Sequence, residues 1–272
     1  MSDSDVWLVT GASRGLGRAI VLAALDAGHR VVATVRGAHD LPAHPRLLVT
    51  TLDVRDRDRA VAVVAEATAA FGGVDVLVSN AGYGLIGAAE EVSEDEARAI
   101  VDTNLLGALW ITQAVLPAMR ERGAGHVVHV STVGAVGTMP TLGLYNASKW
   151  GLEGFAEALA AEVADLGVRV TIAELGALDT EWGTGSMRFA TPLRAYDALR
   201  ERLFGTSDVP WPAEGTGGGT SPADAAAVLL AHVATPDHRL RVLVGDDAPA
   251  QAHAAMRIRL ADYARDARWP AD

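Results

Sequence analysis

The sequence predicts an α/β fold: a doubly wound, seven-stranded parallel sheet in three layers, with helices covering both faces. Three observations carry that expectation. Short β-branched runs alternate with longer Ala-rich stretches of helical period. The first run ends in a glycine-rich turn that leads straight into a helical stretch. Half of the 272 residues are apolar, enough to fill a sizeable core, and the length suits one large α/β domain spanning 1–272.

Taken in order, the run 6–10 is the first strand, and the stretch 15–27 behind its glycine-rich turn is the first helix. Runs at 30–35 and 47–51 supply two more strands before a helix over 56–71. A strand at 74–79 precedes a long helical stretch, 94–121, which opens with Ser93 and Glu96 in the spacing of a capping box. The strand at 126–131, a helix over 145–165 and a strand at 168–174 continue the alternation. The alternation then stops. The segment 175–220 is too long for a plain connection and is expected to cover a site; it ends in the low-complexity patch 214–220. Ser221-Pro222-Ala223-Asp224 starts a helix over 222–235, with a capping Ser, Pro at the first helical position and an acid in the first turn. A seventh strand at 241–244 and a helical tail within 248–272 complete the chain. Right-handed crossovers wind these elements into the doubly wound sheet.

Composition removes several functions. With 34 acidic against 23 basic side chains the formal charge is -11, which disfavours binding to a phosphate backbone, so no nucleic-acid partner is expected. The absence of cysteine excludes a disulfide framework and thiolate metal sites, and fits a reducing compartment. None of the eight histidines has a metal-binding spacing, so no metal is expected. Apolar runs such as Val6-Trp7-Leu8-Val9 fall short of the roughly 18 to 20 residues that span a bilayer, so no membrane partner is expected. Asp3 and Asp5 stand where a secretory signal would be positive, which makes the cytoplasm the expected location.

The turn after the first strand reads Thr10-Gly11-Ala12-Ser13-Arg14-Gly15-Leu16-Gly17. Its glycines let backbone approach a pyrophosphate, and the helix behind it offers unpaired N–H groups and a positive dipole end. The same residues, Gly11 to Gly15, match the Gly-x-Ser-x-Gly elbow of hydrolases, with Ser13 as nucleophile. That elbow normally follows a central strand reached later in the chain, so the phosphate cradle is preferred. At the end of the second strand, an Asp or Glu would bind the ribose hydroxyls of NAD(H). Here Arg36 stands there instead, and with Arg14 it could pair with the 2'-phosphate of NADP(H), which makes NAD(H) the less favoured cofactor.

Tyr145 and Lys149 lie four residues apart and therefore share one face of the helix they open. A phenol is a poor acid–base group at its ordinary pKa of about 10, but a neighbouring cation stabilises the phenolate. At this point the chain resembles the short-chain dehydrogenase/reductase family in its single-domain Rossmann form. The resemblance rests on the glycine turn 10–17, Asp53-Val54, Asn80-Ala81-Gly82, Asn104, Ser131-Thr132 and Tyr145 to Lys149, in that order. It implies that Gly11, Ser13, Arg14, Gly15, Leu16 and Gly17 cradle the cofactor. It also implies that Asp53 and Val54 contact adenine, and that Asn80, Ala81 and Gly82 hold the cofactor backbone. Lys149 would bind the nicotinamide ribose and lower the Tyr145 pKa, Asn104 would anchor a proton-relaying water, and Thr180 would contact the cofactor.

Two positions depart from that pattern. Thr132 stands 13 residues before Tyr145, where the family usually keeps Ser, and Ser131 lies one place earlier. Adjacent strand residues face opposite sides, so only one hydroxyl can point into the site, and Thr132 is favoured. Leu175 replaces the Pro that commonly follows the sixth strand, which frees φ, adds an N–H donor and predicts an unusual loop over the nicotinamide.

The expected function is an NADP(H)-dependent oxidoreductase that moves hydride between nicotinamide and a carbonyl or secondary alcohol. Tyr145 is the general acid–base group, and Thr132 fixes the oxygen. Tyr83, Leu85, Trp182, Met187, Phe189 and Trp211 suit a bulky apolar or aromatic ketone. The resemblance also implies a homo-tetramer or homo-dimer. Two alternatives stay open: a non-catalytic NADP(H)-binding sensor or partner protein, and a serine hydrolase using Ser13.

Overall fold

A computed structural model describes residues 4–180, 185–209, 218–235 and 237–270. Seven parallel strands form its main sheet: β1 (Val6–Val9), β2 (Arg30–Val35), β3 (Leu47–Thr51), β4 (Val76–Ser79), β6 (Gly125–Thr132), β7 (Val168–Leu175) and β9 (Arg241–Val244). Their order across the sheet is β3-β2-β1-β4-β6-β7-β9. It is the expected doubly wound, Rossmann-type sheet, and its winding reverses between β1 and β4. In such sheets ligands bind at that reversal, outside the carboxyl ends of the strands.

Both faces of the sheet are buried, which is why its strands read as continuous apolar runs. Trp7 and Val9 of β1 pack on one face with Ile20 and Ala24 of α1 (Gly15–Asp26) and Leu229 of α7 (Pro222–Ala234). Val6 and Leu8 pack on the other face, with Val63 of α2 (Arg57–Phe71), Ile111 and Met119 of α4 (Gly107–Arg122), and Leu159 of α5 (Gly143–Val163). The helical run Glu94–Arg122 has the length and hydropathy of a membrane span, yet Ile111, Val115 and Met119 spend its apolar face on the sheet. Ser93 caps this run through the expected box with Glu96.

Three features depart from the sequence reading. The stretch expected as one helix, 94–121, is α3 (Glu94–Val101) and α4 joined by a π-helical turn, Asp102–Leu106. A second, two-stranded parallel sheet pairs β5 (Gly84–Ile86) with β8 (Met187–Phe189). The segment expected to cover a site holds a strand and a helix, α6 (Asp197–Phe204). Arg200 of α6 is buried against Glu91, Asp197 and the Leu193 carbonyl, which pins the segment down. The tail forms α8 (Ala248–Tyr263).

Candidate active site

The loops at the carboxyl ends of β1, β2, β4, β6 and β7 surround one cleft of about 2130 Å³. Its floor is the glycine turn. A Cβ on Gly17 would stand 2.4 Å from the Gly11 carbonyl oxygen and 2.6 Å from Asn80 Nδ2, so only glycine lets α1 start this close to β4. Thr10 Oγ1 accepts the N–H groups of both Asn80 and Ala81 at 3.0 Å, and Asn80 Nδ2 donates to the Thr10 carbonyl at 2.9 Å. These bonds lock the loop after β4 to the loop after β1. The N-cap of α1, Arg14, makes no side-chain cap bond and the first turn carries no acid. The unpaired N–H groups and positive dipole end of that helix therefore face the cleft, which is what an anionic pyrophosphate requires. Leu16 and Thr180 complete this wall, with Thr180 Cγ2 at 3.8 Å from where a Gly15 Cβ would stand.

At the other end of the cleft lie Arg36, Asp53, Val54 and Arg55. The Asp53 carboxylate is gripped by Arg55, with bonds of 3.0 and 2.5 Å, and this holds its carboxyl below the usual range. Arg55 escaped the sequence reading because one Arg beside an acid is ordinary on a surface. Arg36 makes no ion pair among the described residues and carries no neighbouring carboxylate on β2. Arg14, the other arginine expected here, also lines the cleft. As the N-cap residue it reaches across to the covering segment, donating to the Gly185 carbonyl at 2.7 Å and to Ser186 Oγ at 2.8 Å. Its guanidinium thus ties the glycine turn to that segment.

The middle of the cleft holds Tyr145 and Lys149, both buried. Tyr145 shares a side-chain hydrogen bond with Thr132, whereas Ser131, which also lines the cleft, donates to Glu153 Oε1 at 2.5 Å. The alternation of β6 therefore gives the two neighbouring hydroxyls different partners. Burial pushes the Tyr145 phenol up to about 12 despite that bond, and pulls the Lys149 ammonium down to about 8. Lys149 was expected to lower the phenol; here desolvation dominates, and Lys149 Nζ donates to the Val130 carbonyl at 2.8 Å. Asn104 sits in the π-helical turn, a feature common at functional sites. Its amide accepts the Tyr83 N–H and donates to the Tyr83 carbonyl, both at 3.0 Å, and also donates to Ser148 Oγ at 3.0 Å. Ser148 in turn donates to the Tyr145 carbonyl at 2.7 Å. Asn104 thus clamps the loop after β4 to the helix bearing Tyr145.

Of the residues expected at the substrate end, Tyr83, Leu85 and Phe189 line the cleft, and Trp182 and Trp211 lie outside the described residues. Met187 is a correction. It pairs in register with Gly84 and is not among the residues lining the cleft, whereas its neighbours Ser186, Arg188 and Phe189 are. Trp150 and Ile258 of α8 also line it, contacts that local sequence could not announce because they depend on long-range packing. Leu175 extends β7 and pairs with both Thr132 and Val244, so its N–H belongs to a strand. No histidine is among the residues lining the cleft, so Ser13 has no imidazole base within the site.

The chain matches the family model described as short chain dehydrogenase over residues 5–188. It is 34% identical to oxidoreductase BOA17 of Botryotinia fuckeliana, a match covering 98% of this chain and 97% of that protein. Among solved structures, a short-chain dehydrogenase from Streptomyces avermitilis superposes with a TM-score of 0.84 at 37% identity, covering 97% of this chain and 98% of the other. One from Burkholderia cenocepacia, solved in complex with NADP, gives a TM-score of 0.75 at 26% identity over 97% of both chains. With the reversed sheet, the glycine turn and the Tyr145–Lys149 helix face, these matches make the chain an oxidoreductase of the short-chain dehydrogenase/reductase family.

Proposed function

We propose that the protein is an NADP(H)-dependent reductase or dehydrogenase acting on a carbonyl or secondary alcohol with a bulky apolar or aromatic body. The observation that carries this reading is the Tyr145–Thr132 hydrogen bond at the centre of a cleft whose one end is a phosphate cradle. The nicotinamide supplies or accepts hydride when bound. The uncapped start of α1, Asn80 to Gly82, Arg36, Lys149 and Thr180 are the residues that would hold the cofactor. Tyr145, kept as a phenol by burial, donates its proton to the substrate oxygen in reduction and recovers it in oxidation. Thr132 orients that oxygen, and the Lys149 charge stabilises the phenolate that forms.

Preference for NADP(H) is supported by Arg36 standing where a carboxylate would repel the 2'-phosphate, and by the NADP complex of the Burkholderia relative. Arg36→Ala is expected to weaken NADPH binding roughly tenfold to a hundredfold, the worth of a charge-assisted bond, and to leave NADH nearly unchanged. Equal losses in fluorescence titrations with both cofactors would refute the assignment.

The apolar side chains of Leu85, Leu142, Val136, Trp150 and Phe189 in the cleft lining support this substrate class. The test compares kcat/KM for bulky aromatic ketones with that for small polyhydroxylated carbonyls, using NADPH throughout. Aromatic ketones are expected to lead, with Phe189→Ala reducing that lead. Preference for the polyhydroxylated set would overturn the substrate class.

A further inference from the structure

Glu153 lies one helical turn beyond Lys149 on α5, as Lys149 lies one turn beyond Tyr145, so the three side chains share one helix face. It is buried and does not line the cleft. One carboxylate oxygen accepts the Ser131 hydroxyl at 2.5 Å, and the other stands 3.6 Å from Arg241 Nη2. Arg241, entering from β9, stands closer to a second buried carboxylate, Glu174 of β7, at 2.8 Å, and also pairs with the exposed Glu157.

Charge counting across this cluster gives the chemistry. Behind the cleft are two buried carboxylates, Glu153 and Glu174, and one guanidinium that sits nearer Glu174. The other groups packed around Lys149 add no charge of either sign: Tyr145 is held as the phenol, Asn104 and the Val130 carbonyl are neutral, and buried His129 is kept neutral by desolvation and by Lys149 itself. A buried charge without a partner is costly. The ammonium of Lys149 is the second cation that balances the second carboxylate.

We propose that Glu153 is a positioning residue that keeps Lys149 as the ammonium from behind the cleft. Burial and the neighbouring Glu174 push the Glu153 carboxyl up, and the Ser131 hydroxyl and Arg241 work against that push. Burial alone works against a charged Lys149, and the Glu153 charge is what opposes it. This also gives Ser131 a role different from that of its neighbour Thr132: it anchors Glu153. Only the effect on turnover rests on the function proposed above; the charge state of Lys149 does not.

Lys149 is the sole lysine of the chain, so protein carrying 13Cε-lysine yields one side-chain NMR signal whose shift follows its own titration. Glu153→Gln is expected to lower the midpoint by about one pH unit, a tenfold loss of proton affinity, which is the low end of what an adjacent opposite charge supplies. The alkaline limb of kcat/KM for NADPH-linked ketone reduction should move down with it. Glu153→Asp, which keeps the charge but withdraws it by a methylene, should shift the midpoint in the same direction by less, and it decides the matter if the Gln variant does not fold. An unchanged midpoint in the folded variant overturns the proposal. A moved midpoint in an enzyme that still turns over as Tyr145→Phe would instead refute the catalytic reading and leave the role of Glu153 standing.

Discussion

Tyr145→Phe is expected to lose between about a hundredfold and ten-thousandfold in turnover, the usual contribution of a general acid–base group, while NADPH binding and the unfolding midpoint stay near wild type. The ring keeps its packing against Leu85 and Ile100, and only the hydroxyl that bonds Thr132 is removed. The two neighbouring hydroxyls then separate by assay. Thr132→Ala removes the partner of that phenol and should cost mainly kcat at every pH. Ser131→Ala removes the donor to Glu153 and should act through the pH profile. Steady-state kinetics with the preferred ketone, alongside NADPH fluorescence titration, checks all three variants. Turnover by Tyr145→Phe within a few-fold of wild type would contradict the mechanism.

A second large effect concerns acid. His126 and His129 are buried on β6, and desolvation pulls both from 6.5 down to about 3. Below 6.5 the unfolded chain takes up protons that the native chain refuses, so stability is fully present above that value and is lost as pH falls toward 3. Each histidine contributes a slope of about 1.4 kcal/mol per pH unit, so the pair removes about 5 kcal/mol between pH 6.5 and 4.5. That loss rivals the whole stability of a typical domain, about 5–15 kcal/mol. Among the described residues neither ring nitrogen of His129 has a hydrogen-bond partner, so His129→Leu gives up no such bond there and should roughly halve the slope. Urea midpoints measured across this range test it; a variant slope equal to that of wild type would show that His129 does not titrate on unfolding.

The main sheet was legible because burial on both faces writes parallel strands as plain apolar runs, and the glycine turn because Gly17 has no room for a Cβ. The paired strands β5 and β8 are three residues each and 100 residues apart in sequence, too short for a period and too distant for a local signal. The π-helical turn escaped because Asp102–Leu106 keeps the composition of the helix it interrupts. At the site, spacing put Tyr145 and Lys149 on one helix face and the family resemblance singled them out with Thr132, whereas Arg14 could not be placed, since its partners Gly185 and Ser186 lie 171 and 172 residues away. Glu153 reads as one more acid on a helix.

Isotope transfer tests hydride passage from nicotinamide to a ketone carbon with Tyr145 supplying the proton. Wild-type and Tyr145→Phe protein would each be incubated with NADPH deuterated at the transferring position of C4 and an aromatic ketone, and the alcohol examined by mass spectrometry. One deuterium at the carbinol carbon is expected from wild type and almost no alcohol from Tyr145→Phe. Alcohol without deuterium, or equal labelled product from both proteins, would contradict it.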